Sequence, residues 1–200
     1  MTRIVNNCVA LVCLCLFWGQ SLRAADASHS EQIKWGNESV FNEEHNTLGL
    51  FSGVLGGQIV LAGGTSDDYS RWGRNAVCLS ENAGFALYED MLSKPLAYGA
   101  SITLSDGILC IGGRDSSQCY EDVFFVTMQQ GKLNVSEDWP PLPFPLSNAA
   151  GALLDNKVYL FGGRKSVSPS RLSDSFFVLD LSNKSRGWKE LPGYPGCVRE

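Results

Sequence analysis

Three short apolar runs along the chain end alike. Gln58-Ile59-Val60-Leu61-Ala62, Gly107-Ile108-Leu109-Cys110-Ile111 and Lys157-Val158-Tyr159-Leu160-Phe161 each run straight into a Gly-Gly doublet, at 63–64, 112–113 and 162–163. The doublets are 49 and 50 residues apart. Other marks keep that register. Pro95, Pro145 and Pro195 stand fifty apart, close to where each following run of strands should start. Asp122 and Asp174 precede the apolar runs Val123-Phe124-Phe125-Val126 and Ser175-Phe176-Phe177-Val178-Leu179, and Trp139 and Trp188 open Trp-Pro-Pro-Leu-Pro and Trp-Lys-Glu-Leu-Pro.

Within the third unit the pattern predicts four strands. The first covers Asn148–Leu154, Asp155-Asn156 makes a tight hairpin turn, and Lys157–Phe161 is the second. A loop over Arg164–Ser173 leads to a third strand at Phe176–Asp180, a turn at Ser182-Asn183 and a fourth strand around Trp188–Leu191. The second unit reads the same way, with its turn at Ser105-Asp106-Gly107. A period near fifty with four short β runs per unit is the signature of a kelch propeller blade. The fold class is therefore all-β, a kelch-type β-propeller with about three four-stranded antiparallel blades. The doublet fits a place where backbones crowd and no Cβ is accommodated. The indoles are expected to fill the wedge between adjacent sheets. In the first unit no Trp stands at the fourth-strand position, and Phe85 or Tyr88 takes its place.

The N-terminus carries a different pattern. Arg3 is followed by the apolar run Cys8–Trp18 and by the small residues Ala24, Ala25 and Ala27, which reads as a secretory signal over residues 1–27. The run is too short for a membrane helix, so no stable membrane insertion is expected after cleavage. Residues 28–44 form a lead-in, assigned to a closing outer strand. The propeller region spans 45–200, with blades at about 45–94, 95–144 and 145–194. The chain is acidic, with net charge −5, which deepens to −6 when Arg3, Arg23 and Asp26 leave with the signal. Nucleic acid is not an expected partner, since it calls for a basic surface. Cys78, Cys110, Cys119 and Cys197 remain after the signal; no C-x-x-C pair or neighbouring histidine supports zinc. No metal and no cofactor are expected. Cys110, inside an apolar run, reads as a small buried hydrophobe, and no disulfide pairing is chosen.

Lys94-Pro95-Leu96-Ala97-Tyr98-Gly99-Ala100-Ser101, followed by Asp106-Gly107-Ile108-Leu109-Cys110-Ile111-Gly112-Gly113, resembles the kelch-type mutarotases related to N-acetylneuraminate epimerase, in particular the cyclically permuted mutarotase family. Leu50-Phe51-Ser52-Gly53, Leu142-Pro143-Phe144-Pro145-Leu146 and Trp188-Lys189-Glu190-Leu191-Pro192-Gly193-Tyr194-Pro195-Gly196 extend the resemblance from roughly His45 to Glu200. It implies a six-bladed periplasmic propeller that interconverts the anomers of a sialic acid or a related acidic sugar. On that reading the chain corresponds to the N-terminal half, with the family's acid and base groups beyond residue 200. The open sheet faces of such a fragment would drive self-association.

Strand order selects the candidate site. In a four-stranded antiparallel blade, the loop after strand two emerges on the same face as the connection into the next blade. That face collects Thr65–Arg74, Arg114-Asp115 and Arg164-Lys165, with Tyr98, Asn148 and, by register, Arg199 at the strand-one starts. Arg114 and Arg164 suit a sugar carboxylate, because guanidinium offers a planar pair of donors. Either arginine could instead bridge to a neighbouring blade, and Asp115 could cap a turn. Tyr98 and Asn148 could hydrogen-bond a sugar or serve packing. The loop 65–74 reads either as a substrate-facing insertion or as drift in a terminal repeat. Asp122 and Asp174 read as structural, bonding backbone at the start of strand three. The alternative to a mutarotase is a non-enzymatic kelch module that binds a protein or glycan on this face.

Overall fold

The computed structural model describes residues 48–80 and 84–193. The signal at 1–27, the lead-in at 28–44, Cys197 and Arg199 lie outside the described residues. Within the described residues, three four-stranded antiparallel sheets follow one another. The first comprises β1 (Phe51–Leu55), β2 (Gln58–Ala62), β3 (Ala76–Ser80) and β4 (Gly84–Tyr88); the second, β5 (Ala100–Thr103), β6 (Ile108–Ile111), β7 (Val123–Gln129) and β8 (Lys132–Ser136). The third is β9 (Ala150–Leu154), β10 (Lys157–Phe161), β13 (Phe176–Asp180) and β14 (Lys189–Leu191). Each sheet keeps the order one-two-three-four, the order of a propeller blade.

The β9–β10 turn is built on Asp155 and Asn156 at φ 47° and 59°, the left-handed pair a two-residue hairpin needs. Two details differ from the sequence pattern. Residues 164–173 are not a plain loop: β11 (Arg164–Ser166) and β12 (Arg171–Leu172) pair as a small hairpin. The Ser182-Asn183 turn is a 3-10 segment over Leu181–Arg186, opened by the Asp180 carboxylate accepting the Ser182 N–H at 2.9 Å. Short polar side chains compete well for backbone donors, which the apolar pattern does not register.

The middle blade explains why some runs are apolar throughout and others alternate. Ile108, Cys110, Phe124 and Val126 turn toward blade one, where they meet Phe51, Leu55, Val60, Ala62 and Cys78. Their neighbours Leu109, Ile111, Val123 and Phe125 turn toward blade three and meet Val158, Leu160, Phe177 and Leu179. A strand buried on both faces loses the period-two signal. Aromatic rings lock both contacts: Phe51 meets Phe124 edge-on at 5.1 Å, and Phe144 meets Phe177 edge-on at 5.4 Å. Trp139 packs on Phe125 at 5.0 Å, and the Trp188 indole N–H donates to the Pro140 carbonyl at 3.0 Å. Both indoles thus wedge blades two and three. In blade one it is Tyr88 that lies on the core, its hydroxyl donating to the Gly131 carbonyl, while Phe85 is exposed.

The doublets are joints between blades. All six of their glycines have positive φ, from 62° to 114°. The first glycine of each donates to the residue ahead of strand three: Asn75, Asp122 or Ser175. Gly64 and Gly113 then donate to Leu96 and Leu146 of the following blade, at 2.9 and 2.7 Å. Those same carbonyl oxygens would lie 2.1 Å from a Cβ on Gly63 and 2.3 Å from one on Gly112. The blade contact therefore excludes every side chain, in addition to the backbone conformation that favours glycine. Asp122 also departs from expectation. Its carboxylate pairs with Lys94 at 3.0 Å instead of bonding backbone, and in register its counterpart in blade three is Ser175 rather than Asp174.

Candidate functional site

Each blade begins with a residue in the left-handed region: Gly49, Tyr98 and Asn148, at φ 65°, 60° and 56°. They form a hydrogen-bonded chain from blade to blade, Tyr98 N–H to the Gly49 carbonyl at 2.8 Å and Asn148 N–H to the Tyr98 carbonyl at 2.7 Å. The residue before each pairs with the residue after a doublet, as bridges Leu48–Thr65, Ala97–Arg114 and Ser147–Arg164. The backbone bridges adjacent blades here, and the Arg114 side chain, as the sequence also allowed, reaches across to the rings of blade one. Thr65 fills the same position without a guanidinium.

The Arg114 side chain sits among rings from two blades. Its guanidinium carbon lies 4.9 Å from the Tyr98 centroid, 5.0 Å from Trp72 and 6.0 Å from Tyr69. Tyr69 and Tyr98 are stacked at 6.5 Å and Trp72 stands edge-on to Tyr98 at 6.4 Å. Gly49 leaves the room, since a Cβ there would lie 2.9 Å from the Tyr98 ring. The Tyr98 hydroxyl donates to that of Tyr69 at 3.4 Å. Burial first, and then this contact, push the Tyr98 phenol up to about 12, so it stays protonated at neutral pH. Among the described residues no carboxylate forms an ion pair with Arg114; its guanidinium donates to the Asp115 carbonyl at 3.4 Å.

Asp115 itself caps a turn. Its carboxylate accepts from the Tyr120 hydroxyl at 2.6 Å, from the N–H groups of Ser117 and Gln118, and from the Ser117 hydroxyl. Burial pushes this carboxyl up, but the hydrogen bonds, Tyr120 foremost, outweigh burial and bring it down to about 2. A carboxylate whose folded value is depressed stabilises the fold above its unfolded value and loses that contribution as pH falls through the folded one. The stability gap between the parent and Asp115→Asn should be constant above about pH 5 and close as pH falls to about 2. Urea denaturation at both ends of that range measures it; a gap that persists at the acid end refutes the assignment.

Of the residues singled out from sequence, Tyr98 and Arg114 come together, Asn148 joins them through backbone, and Arg164 occupies the matching position one blade along. Beside Arg164, the Lys165 ammonium lies 4.2 Å from the Phe144 centroid. Tyr69 and Trp72 were not singled out, although their loop was. The available signal was a Trp outside the register of Trp139 and Trp188, with a Tyr three residues before it. Two clefts lie away from this cluster. One, of about 230 Å³, runs between Lys94, Asp122, Phe124 and Trp139; the other, of about 520 Å³, lies between Leu104, Phe125, Leu153 and Leu181. In the first, Lys94 is paired with Asp122 and Glu137 adds a second acid to the lining, so the cluster around Arg114 is the better placed to receive an anion. Cys78, Cys110 and Cys119 are buried free thiols, and burial pushes the Cys78 and Cys110 thiols up, away from nucleophilic use.

Residues 145–192, the third blade, match the family described as Kelch motif. Eighty residues of the chain, 40% of it, are 31% identical to the N-acetylneuraminate epimerase of Vibrio cholerae, over 19% of that protein. The N-acetylneuraminate epimerase of Brucella suis is 33% identical over 66 residues, 33% of this chain and 15% of the relative. That of Yersinia pestis is 31% identical over 65 residues, 32% of the chain and 15% of the relative. The matches span a fifth or less of the curated relatives. Joined to the sheet order and the doublet geometry, these likenesses show β-propeller blades of the kelch type, the third of which matches the Kelch motif, in a chain similar over part of its length to N-acetylneuraminate epimerases.

Proposed function

We propose that the chain is part of an exported sugar mutarotase or epimerase, periplasmic or secreted, that interconverts the anomers of N-acetylneuraminate or a related acidic sugar. The observation that carries the reading is Arg114, a guanidinium held on the loop face among aromatic rings with no carboxylate paired to it among the described residues. The names of the relatives support the substrate class, and the pattern of residues 1–27 supports export. Anomer exchange requires one group to take the anomeric hydroxyl proton and another to protonate the ring oxygen. Arg114 would hold the substrate carboxylate as a bidentate partner, Tyr98 would turn the proton of its neutral phenol from Tyr69 to a sugar oxygen, and Asn148 and Arg164 would extend the same face toward the third blade.

A second reading, a non-enzymatic kelch module binding a protein or glycan there, draws on Asp115. The acid next to Arg114 is occupied by four hydrogen bonds, which leaves it no role as base. Exchange between the anomers of N-acetylneuraminate, followed by NMR with the full chain, separates the two. The mutarotase reading expects exchange faster than in buffer and a loss of about tenfold in Arg114→Ala. A rate equal to the uncatalysed one refutes it.

A further inference from the structure

The loop 65–74 is built to hold one exposed ring in place. The Thr65 hydroxyl donates to the Arg71 carbonyl at 2.7 Å, the Ser66 hydroxyl donates to Asp68 at 2.6 Å, and Arg71 N–H donates to the Ser66 hydroxyl at 3.0 Å. Asp68 also accepts from the N–H and hydroxyl of Ser70, and the Trp72 indole N–H donates to the Tyr69 carbonyl at 3.1 Å. Tyr69 rides on this frame at φ 59°, with 49% of its surface exposed. A bulky residue is disfavoured in that backbone region. The positive φ of Tyr98 is shared by Gly49 and Asn148 at the matching repeat positions, but that of Tyr69 belongs to the loop alone, and backbone strain of this kind gathers at ligand sites.

The repeat does not account for the arrangement. At the positions of Tyr98 and Arg114, blade one has Gly49 and Thr65, and blade three has Asn148 and Arg164. Among the described residues the three-ring wall thus stands at the junction of blades one and two and has no counterpart between blades two and three. We infer that Tyr69, Trp72, Tyr98 and Arg114 form a binding site for a carboxylated pyranose, free or at the end of a glycan. The guanidinium takes the carboxylate, and the aromatic wall takes the C–H face of the ring. Small-molecule sites commonly combine an aromatic lining with a few placed polar groups, and a pre-held wall lowers the ordering cost of binding. The assignment rests on the acidic-sugar reading above and adds the wall to it.

The methyl α-glycoside of N-acetylneuraminate is the probe, because its locked anomeric centre reports binding without turnover. Titrated into the full chain, it should quench tryptophan fluorescence, and Trp72→Phe should abolish the quench. Binding to each variant is followed by saturation-transfer NMR. Tyr69→Gly, which keeps the backbone conformation relaxed, should leave thermal stability equal or higher while weakening binding about fivefold or more. Arg114→Lys should weaken it about tenfold through loss of the planar pair of donors. Neutral methyl glucoside should not bind. Parent-like affinity in Tyr69→Gly, or equal affinity for the neutral glycoside, overturns the site. Tight, Tyr69-dependent binding without anomer exchange would leave the site standing and remove the mutarotase reading. Exchange with no effect of Tyr69→Gly would do the reverse.

Discussion

Phe177→Ala should lower the unfolding free energy by about 3–5 kcal/mol. Phe177 is completely buried on β13, one of the largest side chains in the contact between blades two and three, and its ring meets Phe144 edge-on at 5.4 Å. Truncation removes the transfer free energy of the ring. It also leaves a cavity walled by two rigid sheets that cannot collapse into it. Phe176, its neighbour in sequence, supplies the control. It points to the opposite face of the sheet, is only partly buried, and contacts Tyr159 and Phe161 at 5.8 and 6.0 Å. Phe176→Ala should cost about 1–2 kcal/mol. Urea denaturation, compared at equal slope, reads both values. Similar losses for the two substitutions would mean that the interblade core is not where the stability lies.

Gly112→Ala is expected to cost about 3 kcal/mol or more, for two separable reasons. An alanine at φ 62° is strained, and its Cβ would lie 2.3 Å from the Leu146 carbonyl oxygen. Moving that carbonyl disturbs the Gly113 N–H that donates to it and the Leu146 N–H that donates to Tyr120. Gly131 isolates the first reason. Its φ is 75°, in the β7–β8 turn, but a Cβ there would meet nothing within 4 Å. Gly131→Ala should therefore show the conformational cost alone, about 1–2 kcal/mol. Equal losses at the two positions would show that close approach between blades is not what holds the doublet to glycine.

The spacing of 49 and 50 residues and the apolar runs are enough to place the strands of blade three to within two residues, whereas in blade two the fourth strand, Lys132–Ser136, ends before the Trp139 that marks it by register. Each strand carries its own period or its own unbroken run, and each is bounded by a turn with recognisable chemistry. Local signals were weaker where side chains bond to nearby backbone. The β11–β12 hairpin and the 3-10 segment after Asp180 lie in stretches whose apolar pattern is silent. Asp122 looked like a backbone partner because it stands at a strand start; the ion pair with Lys94, 28 residues earlier, depends on the approach of two blades.

The candidate site divides along the same line. Repeat register alone put Tyr98, Asn148, Arg114 and Arg164 on one face, and it marked the loop 65–74 as belonging there. It also determined that the fold is all-β and that the doublets recur for a structural reason. Only the tertiary structure decided which of these residues meet. Tyr69 and Trp72 are far from Arg114 in sequence, yet packing blade one against blade two brings both rings to 6.0 and 5.0 Å from its guanidinium. The aromatic wall depends on the angle between two sheets and on the room left by Gly49. Those are properties of how blades dock, and no single strand or turn carries them.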